Sequence, residues 1–312
     1  RLHRVANACE RSNVKLIVCR SDERALEVDG VARWEEAVRH PQPLPDRNIQ
    51  KTDDVTILYT SGTTGFPKGA VSTHGAITQA VLSFASISAV ESARRGPNGG
   101  GVDPLSRESV FILAVPLFHV TGCVPVMLSS FCWHFKLVMM QRWDSERALR
   151  LIEENKVTNF IGVPTQSWDL LENTHFEKVD TSSLFQVAGG GAPAPASLVK
   201  RLGQHFDMYS PTLAYGLTET NAFGPSLSGP EFLAHPNATG YVPTLVLDVE
   251  IRNPQGTKVP EGETGEIYIS SPTLVRGYWN KPEATTDSFL DGWFRTGDIG
   301  RIEGELLYIE DR

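Results

Sequence analysis

The stretch richest in side chains that could do chemistry is Tyr59-Thr60-Ser61-Gly62-Thr63-Thr64-Gly65-Phe66-Pro67-Lys68-Gly69. It follows a short apolar run and mixes hydroxyl residues with glycines before closing on a proline and a lysine. Glycine lets backbone N–H groups approach an anion closely, hydroxyls add donors and lysine adds charge. That combination suits a polyphosphate. The spacing is not that of a Walker loop. Counted from Gly62, the second glycine of G-x-x-x-x-G-K-[ST] falls at Pro67, and the residue after the lysine is Gly69 instead of a hydroxyl.

Further segments follow in order: Pro116-Leu117-Phe118-His119-Val120-Thr121-Gly122, Gly189-Gly190-Gly191-Ala192-Pro193, Ala214-Tyr215-Gly216-Leu217-Thr218-Glu219-Thr220, and Gly292-Trp293-Phe294-Arg295-Thr296-Gly297-Asp298. Taken singly, each has an ordinary explanation. Glu219 reads as a solvated glutamate, Asp298 as a turn or capping residue, and His119 as a satisfied histidine beside an apolar strand. Their order along one chain changes the weighing. The first stretch resembles the phosphate-binding signature of the adenylate-forming enzymes, which include acyl- and aryl-CoA synthetases, peptide-synthetase adenylation domains and luciferases. Ala214–Thr220 resembles that family's Y-G-x-T-E element and Gly292–Asp298 its late T-G-D element. Gly265-Glu266 through Gly277-Tyr278 and Gly189–Pro193 resemble it more weakly.

The resemblance implies a division of labour around ATP, Mg²⁺ and a carboxylic acid. Ser61, Thr63, Thr64 and Lys68 would hold the departing phosphates, with Thr60, Gly62 and Gly65 in the same nucleotide site. Glu219 is a hard oxygen ligand suited to Mg²⁺, and Thr218 can donate to the α-phosphate. Tyr215, beside Gly216, offers a ring face to adenine, and Asp298 can accept both ribose hydroxyls. Gly191, Ala192 and Pro193 border the nucleotide, and Arg312 is implied at the ribose. Pro116–Gly122 resembles the element that borders the acid pocket in acyl-CoA synthetases, which puts His119 at the substrate carboxylate or at the channel. Lys68, His119, Thr218 and Glu219 are the expected catalytic set. Such an enzyme joins the acid to AMP with loss of pyrophosphate, largely by positioning and charge stabilisation, and then passes the acyl group to CoA.

The acid expected is one without an α-amino group, a fatty acid first, because Ser109–Phe135 carries no aspartate of the kind that peptide-synthetase domains use. An acyl-AMP ligase, a coumarate-type aryl-CoA ligase and a non-catalytic nucleotide-binding fragment are the alternatives. A dinucleotide oxidoreductase is a weaker rival: Gly189-x-Gly191-x-x-Ala194 formally matches G-x-G-x-x-A and Asp207 follows, but Pro193 and Pro195 sit where helix N–H groups should meet pyrophosphate. No G-x-S-x-G occurs, so a serine hydrolase of that type has no support.

The elements that must position these residues read as α/β. Val14–Cys19, Val55–Tyr59, Phe111–Val115, Phe135–Met140, Asn159–Val163 and Phe185–Ala188 are strand-like, with helices between, the clearest being Ser145–Asn155 capped by Asp144. Arg1–Glu10 reads as a helix in progress and His74–Val90 as helix. After Pro230 the chain turns β-rich, with strands at Val246–Arg252, Gly265–Ile269, Asp298–Ile302 and Glu305–Ile309 and a hairpin at Pro254-Gln255-Gly256. The expected architecture is a mainly parallel sheet flanked by helices, residues 1–236, followed by a β-rich subdomain, residues 237–312. Residues 91–108 read as a polar, mobile Gly/Pro insertion.

Composition excludes broad classes. The chain has 312 residues with 40% hydrophobic and 21% charged residues, which is globular. A net charge of −8 disfavours sequence-independent nucleic-acid binding. Cys9, Cys19, Cys123 and Cys132 show no CxxC spacing and read as reduced thiols in an intracellular, cytoplasmic protein; a peroxisomal address at the C-terminus would lie beyond Arg312. Ser109–Phe135 is uncharged and long enough to span a bilayer, but Pro116, Gly122 and Pro125 break it into a strand and a buried helix. The family would carry a longer N-terminal part and a C-terminal domain with an adenylation-assisting lysine, so the expectation is an incomplete large domain whose exposed sheet edge favours association, in the simplest case a homo-oligomer.

Overall fold

Apolar runs alternating with amphipathic segments bury themselves best as parallel strands beneath helices, and residues 110–214 adopt that arrangement. The computed structural model describes residues 16–18, 31–34, 38–39, 43, 46–60, 66–95, 108–206 and 211–311. The chain divides into two units, Arg1–Ile49 and Gln50–Arg312. In the first, β1 (Leu16–Val18) pairs in parallel with β2 (Val31–Arg33). The helix expected over Arg1–Glu10 lies outside the described residues.

The second unit opens with an antiparallel hairpin, β3 (Asp54–Thr60) and β4 (Lys68–Thr73), followed at once by α1 (His74–Arg95). The helix runs further than expected, to Arg95; residues 96–107 of the polar insertion lie outside the described residues. One face of α1 buries Ala76, Ile77, Ala80 and Val81. By length and composition His74–Arg94 could also cross a membrane. The uncharged Ser109–Phe135 stretch is instead a strand, β5 (Val110–Leu113), and a bent helix, in which a π-helical turn, Gly122–Leu128, containing Pro125 runs into α2 (Ser129–Trp133). A Cβ on Gly122 would lie 2.6 Å from the carbonyl oxygens of Val115 and Pro116, so only glycine lets this helix start so close to the preceding turn.

The parallel block continues with β6 (Lys136–Met139), α3 (Ser145–Asn155), β7 (Asn159–Gly162), α4 (Pro164–Leu171), β8 (Gln186–Gly190), α5 (Ala196–His205) and β9 (Pro211–Ala214), in the strand order β6-β5-β7-β8-β9. The α3 boundaries follow from local chemistry. Asp144 Oδ1 accepts from the Arg147 N–H at 2.8 Å, and Lys156 ends the helix in a left-handed conformation. Its apolar stripe, Ala148, Leu149, Leu151 and Ile152, packs with Leu170, Leu198 and Leu202 of the neighbouring helices over Ile112, Phe160 and Val187 of the sheet.

The sheet then changes polarity without breaking. β10 (Ser226–Ser228) pairs antiparallel with β9, and β11 (Gly240–Tyr241) with β10. From β11 the ladder passes to an antiparallel block of β12 (Asp248–Arg252), β13 (Gly265–Ser270), β16 (Trp293–Glu303) and β17 (Leu306–Asp311), with the short β15 (Phe289–Leu290) beside β16. The β-rich part is therefore built on the same continuous sheet as the parallel block. Its core is Ile251, Ile267, Ile269, Phe294 and Leu307. The hairpin expected at Pro254–Gly256 is a tight turn closed by Gly256 N–H donating to Asn253 O and by a single bridge between Arg252 and Lys258. The remaining strand, β14 (Gly277–Tyr278), leaves the large sheet and joins β4. Helix α6 (Gly229–Ala234) follows β10, and α7 (Pro282–Ser288) follows β14.

Candidate active site

Strand polarity decides where the sequence motifs meet. Pro116–Gly122 follows β5, Gly191–Pro193 follows β8, and Tyr215–Glu219 follows β9, and these strands run parallel. All three motifs leave the sheet at its carboxyl edge, the edge at which open α/β sheets bind ligands.

The hydroxyl- and glycine-rich stretch is the connection of the β3–β4 hairpin. Thr60 and Lys68 are register partners, and Thr60 Oγ1 donates to Lys68 O at 3.4 Å. Ser61, Gly62, Thr63, Thr64 and Gly65 lie outside the described residues, as does Arg312. The pairing of β14 with β4 brings Tyr278 opposite Ala70, and the Lys68 ammonium lies 4.6 Å from the centre of the Tyr278 ring.

Glu219 sits in a 3₁₀ turn, Thr218–Thr220, and is 7% exposed. Its carboxylate Oε1 accepts from the Tyr278 hydroxyl at 2.7 Å, and its carbonyl accepts from Val275 N–H at 2.9 Å. Burial first, and then the adjacent Glu219 carboxylate, hold the Tyr278 phenol well above the ordinary tyrosine range, so it stays a donor. Among the described residues no lysine or arginine forms an ion pair with Glu219. A buried carboxylate without a cationic side chain suits a bound cation. Magnesium is commonly held by one or two carboxylates together with substrate phosphates, so this lone oxygen donor fits that mode; among the described residues there is no cluster of three or more metal-ligating side chains.

The turn is anchored by residues that sequence reasoning missed. Ser72 Oγ of β4 donates to Asn221 Oδ1 at 2.7 Å, and Asn221 Nδ2 donates to Thr273 O at 2.8 Å. All three residues are buried. Asn221 has φ of 53°, a left-handed conformation that asparagine tolerates. A Cβ on Gly216 would overlap Ala222 O, so the loop folds back on itself only with glycine there. Asparagine directly after T-E-T was the available signal.

At the other end of the same segment the Tyr215 hydroxyl donates to Asp298 Oδ2 at 2.5 Å. Asp298 is 2% exposed and lies within β16, where its N–H donates to Thr296 Oγ1. Two residues placed separately by sequence, as an adenine platform and a ribose acceptor, therefore touch. Thr218 is half-buried in the turn. Gly191, Ala192 and Pro193 are exposed, one residue past the Gly190–Ala214 register pair.

A cavity of about 140 Å³ opens beside these motifs. Its walls include Phe84 and Ile87 of α1, Phe111 of β5, Pro125, Trp133 and Phe135, with Gly189–Gly191 and Gly216 at one side. His119 lies on the turn just before this wall and Thr121 is part of it. His119 Nδ1 accepts from the Thr121 N–H at 3.2 Å; the ring keeps an exposed edge, while the protein packed around it lowers its pKa by disfavouring imidazolium.

Comparison with known proteins bears on the family and the fold. The family described as AMP-binding enzyme matches residues 2–279. The chain is similar to the long-chain-fatty-acid–CoA ligase FadD13 of Mycobacterium tuberculosis, 35% identical over 262 residues, which cover 83% of this chain and 48% of that protein. Among solved structures it is similar to the inhibitor-bound N-terminal domain of FACL13 from Mycobacterium tuberculosis, with a TM-score of 0.82 and 29% identity, covering 100% of this chain and 77% of that one. It is also similar to o-succinylbenzoate coenzyme A synthetase from Bacillus subtilis in complex with ATP and magnesium ion, with a TM-score of 0.76 and 27% identity, covering 100% and 62%. The chain spans about half the length of the curated relatives it matches. With the fold, the order of the motifs and the family match in agreement, the chain belongs to the AMP-binding enzyme family.

Proposed function

We propose that the protein activates a carboxylic acid with ATP, giving an acyl-adenylate and pyrophosphate, and that the full-length protein then transfers the acyl group to the CoA thiol with release of AMP. One observation carries this reading. The segment Tyr215–Glu219 touches Asp298 at its first residue, and at its last it is joined through Tyr278 to Lys68. A single short loop thus links a candidate ribose acceptor to a candidate phosphate ligand.

In this reading Lys68 and the hydroxyls of the hairpin connection hold the leaving phosphates, Glu219 holds Mg²⁺, and Thr218 donates to the α-phosphate. The bound metal neutralises charge that develops on the phosphates. The chain's own residues position acid and nucleotide: the acyl group enters the cavity beside Gly189–Gly191, and His119 borders its mouth. Relatives named for fatty-acid and o-succinylbenzoate substrates support CoA ligation without choosing the acid.

Size favours a compact acid. An apolar cavity of roughly 150 Å³ holds a benzene-sized group, and the half-open, aromatic-walled cavity here has a similar volume of about 140 Å³. An aryl or short-chain acyl group fills this volume, and the chain of a longer fatty acid, the acid expected first from the sequence, would extend beyond it.

The test is a thermal-shift panel with non-hydrolysable acyl-AMP mimics bearing aryl, short and long acyl groups, with Asp298→Ala as control. A shift that is largest for the aryl or short-chain mimics, and lost in the control, supports the reading. Equal shifts across the panel would leave the adenylate site standing and remove the size argument. No shift for any mimic would mean that this chain does not form an adenylate site.

A further inference from the structure

We propose that Tyr278 is a positioning residue that sets two ligands of the nucleotide at once, with its hydroxyl fixing one oxygen of Glu219 and its ring carrying the Lys68 ammonium. The inference rests on the proposed nucleotide site and adds to it a residue for which the motifs supplied only a weak match and no role.

The geometry separates the two functions within one side chain. The hydroxyl donates to Glu219 Oε1 at 2.7 Å. That bond occupies one carboxylate oxygen and leaves Oε2 as the oxygen free of the phenol. A carboxylate held in this way offers a divalent cation one oriented oxygen instead of a freely rotating pair, and outer partners of this kind typically tune metal affinity about ten- to a hundredfold. The ring does something different. Lys68 Nζ lies 4.6 Å from its centre, within the range of a cation–π contact. Without phosphate, this contact gives the ammonium a defined seat at the first residue of β4, where the hairpin connection ends.

Backbone pairing makes the placement reproducible. β14 departs from the large sheet to pair with β4, with Gly277 opposite Val71 and Tyr278 opposite Ala70. Trp279 N–H donates to Gly69 O at 2.7 Å and Arg276 N–H to Val71 O at 2.9 Å, so Tyr278 is bracketed on both sides. Tyr278 is 5% exposed and packs edge-on against Phe289, which limits its rotamers. The Arg276–Asp54 pair, with Nε donating to Oδ1 at 2.5 Å, ties the residue just before β14 to the start of β3. The two-residue strand β14 thus places this side chain between the β3–β4 hairpin and the Thr218–Thr220 turn.

The experiment measures ATP binding to the chain by calorimetry, with Mg²⁺ and with EDTA, for wild type, Tyr278→Phe, Tyr278→Leu and Lys68→Met. Tyr278→Phe keeps the ring and loses the hydroxyl, so the gain in affinity on adding Mg²⁺ should fall about tenfold or more, while metal-free ATP affinity changes less than threefold. Tyr278→Leu should lose the Mg²⁺ gain and also weaken metal-free binding. Lys68→Met should weaken metal-free binding and keep the Mg²⁺ gain. A Tyr278→Phe variant with the wild-type Mg²⁺ gain overturns the positioning role while leaving the nucleotide site intact. Loss of the Mg²⁺ gain in Lys68→Met overturns the separation of the two functions. If wild type binds no ATP under either condition, the nucleotide site itself falls, and this inference with it. Melting curves accompany each variant, and a Tyr278→Phe chain unfolded at the assay temperature makes the hydroxyl a fold-holding bond, which also overturns the proposal.

Discussion

Ser72 Oγ donates to Asn221 Oδ1 at 2.7 Å, joining the second strand of the β3–β4 hairpin to the turn that carries Glu219. Neither residue belongs to a recognised motif, yet both are buried and each completes the other's hydrogen bonding.

Asn221→Gly should therefore destabilise the protein by about 2–4 kcal/mol, since it strands both Ser72 Oγ and Thr273 O away from water. Glycine accepts the left-handed conformation, so the loss reports the hydrogen bonds and not backbone strain. Urea unfolding measures it, and a loss below about 0.5 kcal/mol would make the anchor dispensable.

Tyr215→Phe retains the ring and removes the hydroxyl from Asp298. AMP binding should weaken about fivefold, the equivalent of one hydrogen bond of roughly 1 kcal/mol. Asp298→Ala should cost more, because it removes the ribose acceptor itself. Isothermal titration with AMP compares the two, and a larger effect from Tyr215→Phe would reverse their assigned importance.

Lys68→Ala should weaken MgATP binding more than AMP binding. AMP lacks the leaving phosphates at which the lysine is placed, so competition measurements with both ligands discriminate. Equal losses would refute that placement.

His119 predicts a pH effect. The protein packed against one side of the exposed ring lowers its pKa below the ordinary 6.5, so in acid the unfolded chain takes up this proton before the folded one does. Stability contributed by the neutral ring is therefore complete above about pH 6.5 and declines as the pH falls through and below that value. A His119→Gln variant should show a flatter fall of Tm between about pH 7 and pH 5 than wild type; identical slopes would remove His119 as the cause.

Much of this was legible without a structure because its causes are local. Alternation and helix caps announce themselves over a few residues, as Asp144 shows for Ser145–Asn155. The hairpin connection and the segment Tyr215–Glu219 stand out because glycines, hydroxyls and charged residues are packed into a few positions there. The continuity of the β-rich part with the parallel sheet was not legible, since the hand-over depends on β10 and β11, strands of three and two residues whose pairing is decided by neighbours far along the chain.

Sequence by itself determined the family and the order of the motifs, because residue type and short-range spacing carry those properties. Tertiary structure alone decided which motifs touch. Tyr215 meets Asp298 across 83 residues, Tyr278 meets Glu219 across 59, and Ser72 meets Asn221 across 149. Contacts of that range follow from strand register and from the left-handed turn at Asn221, and a one-residue slip in either would turn these side chains to the opposite face.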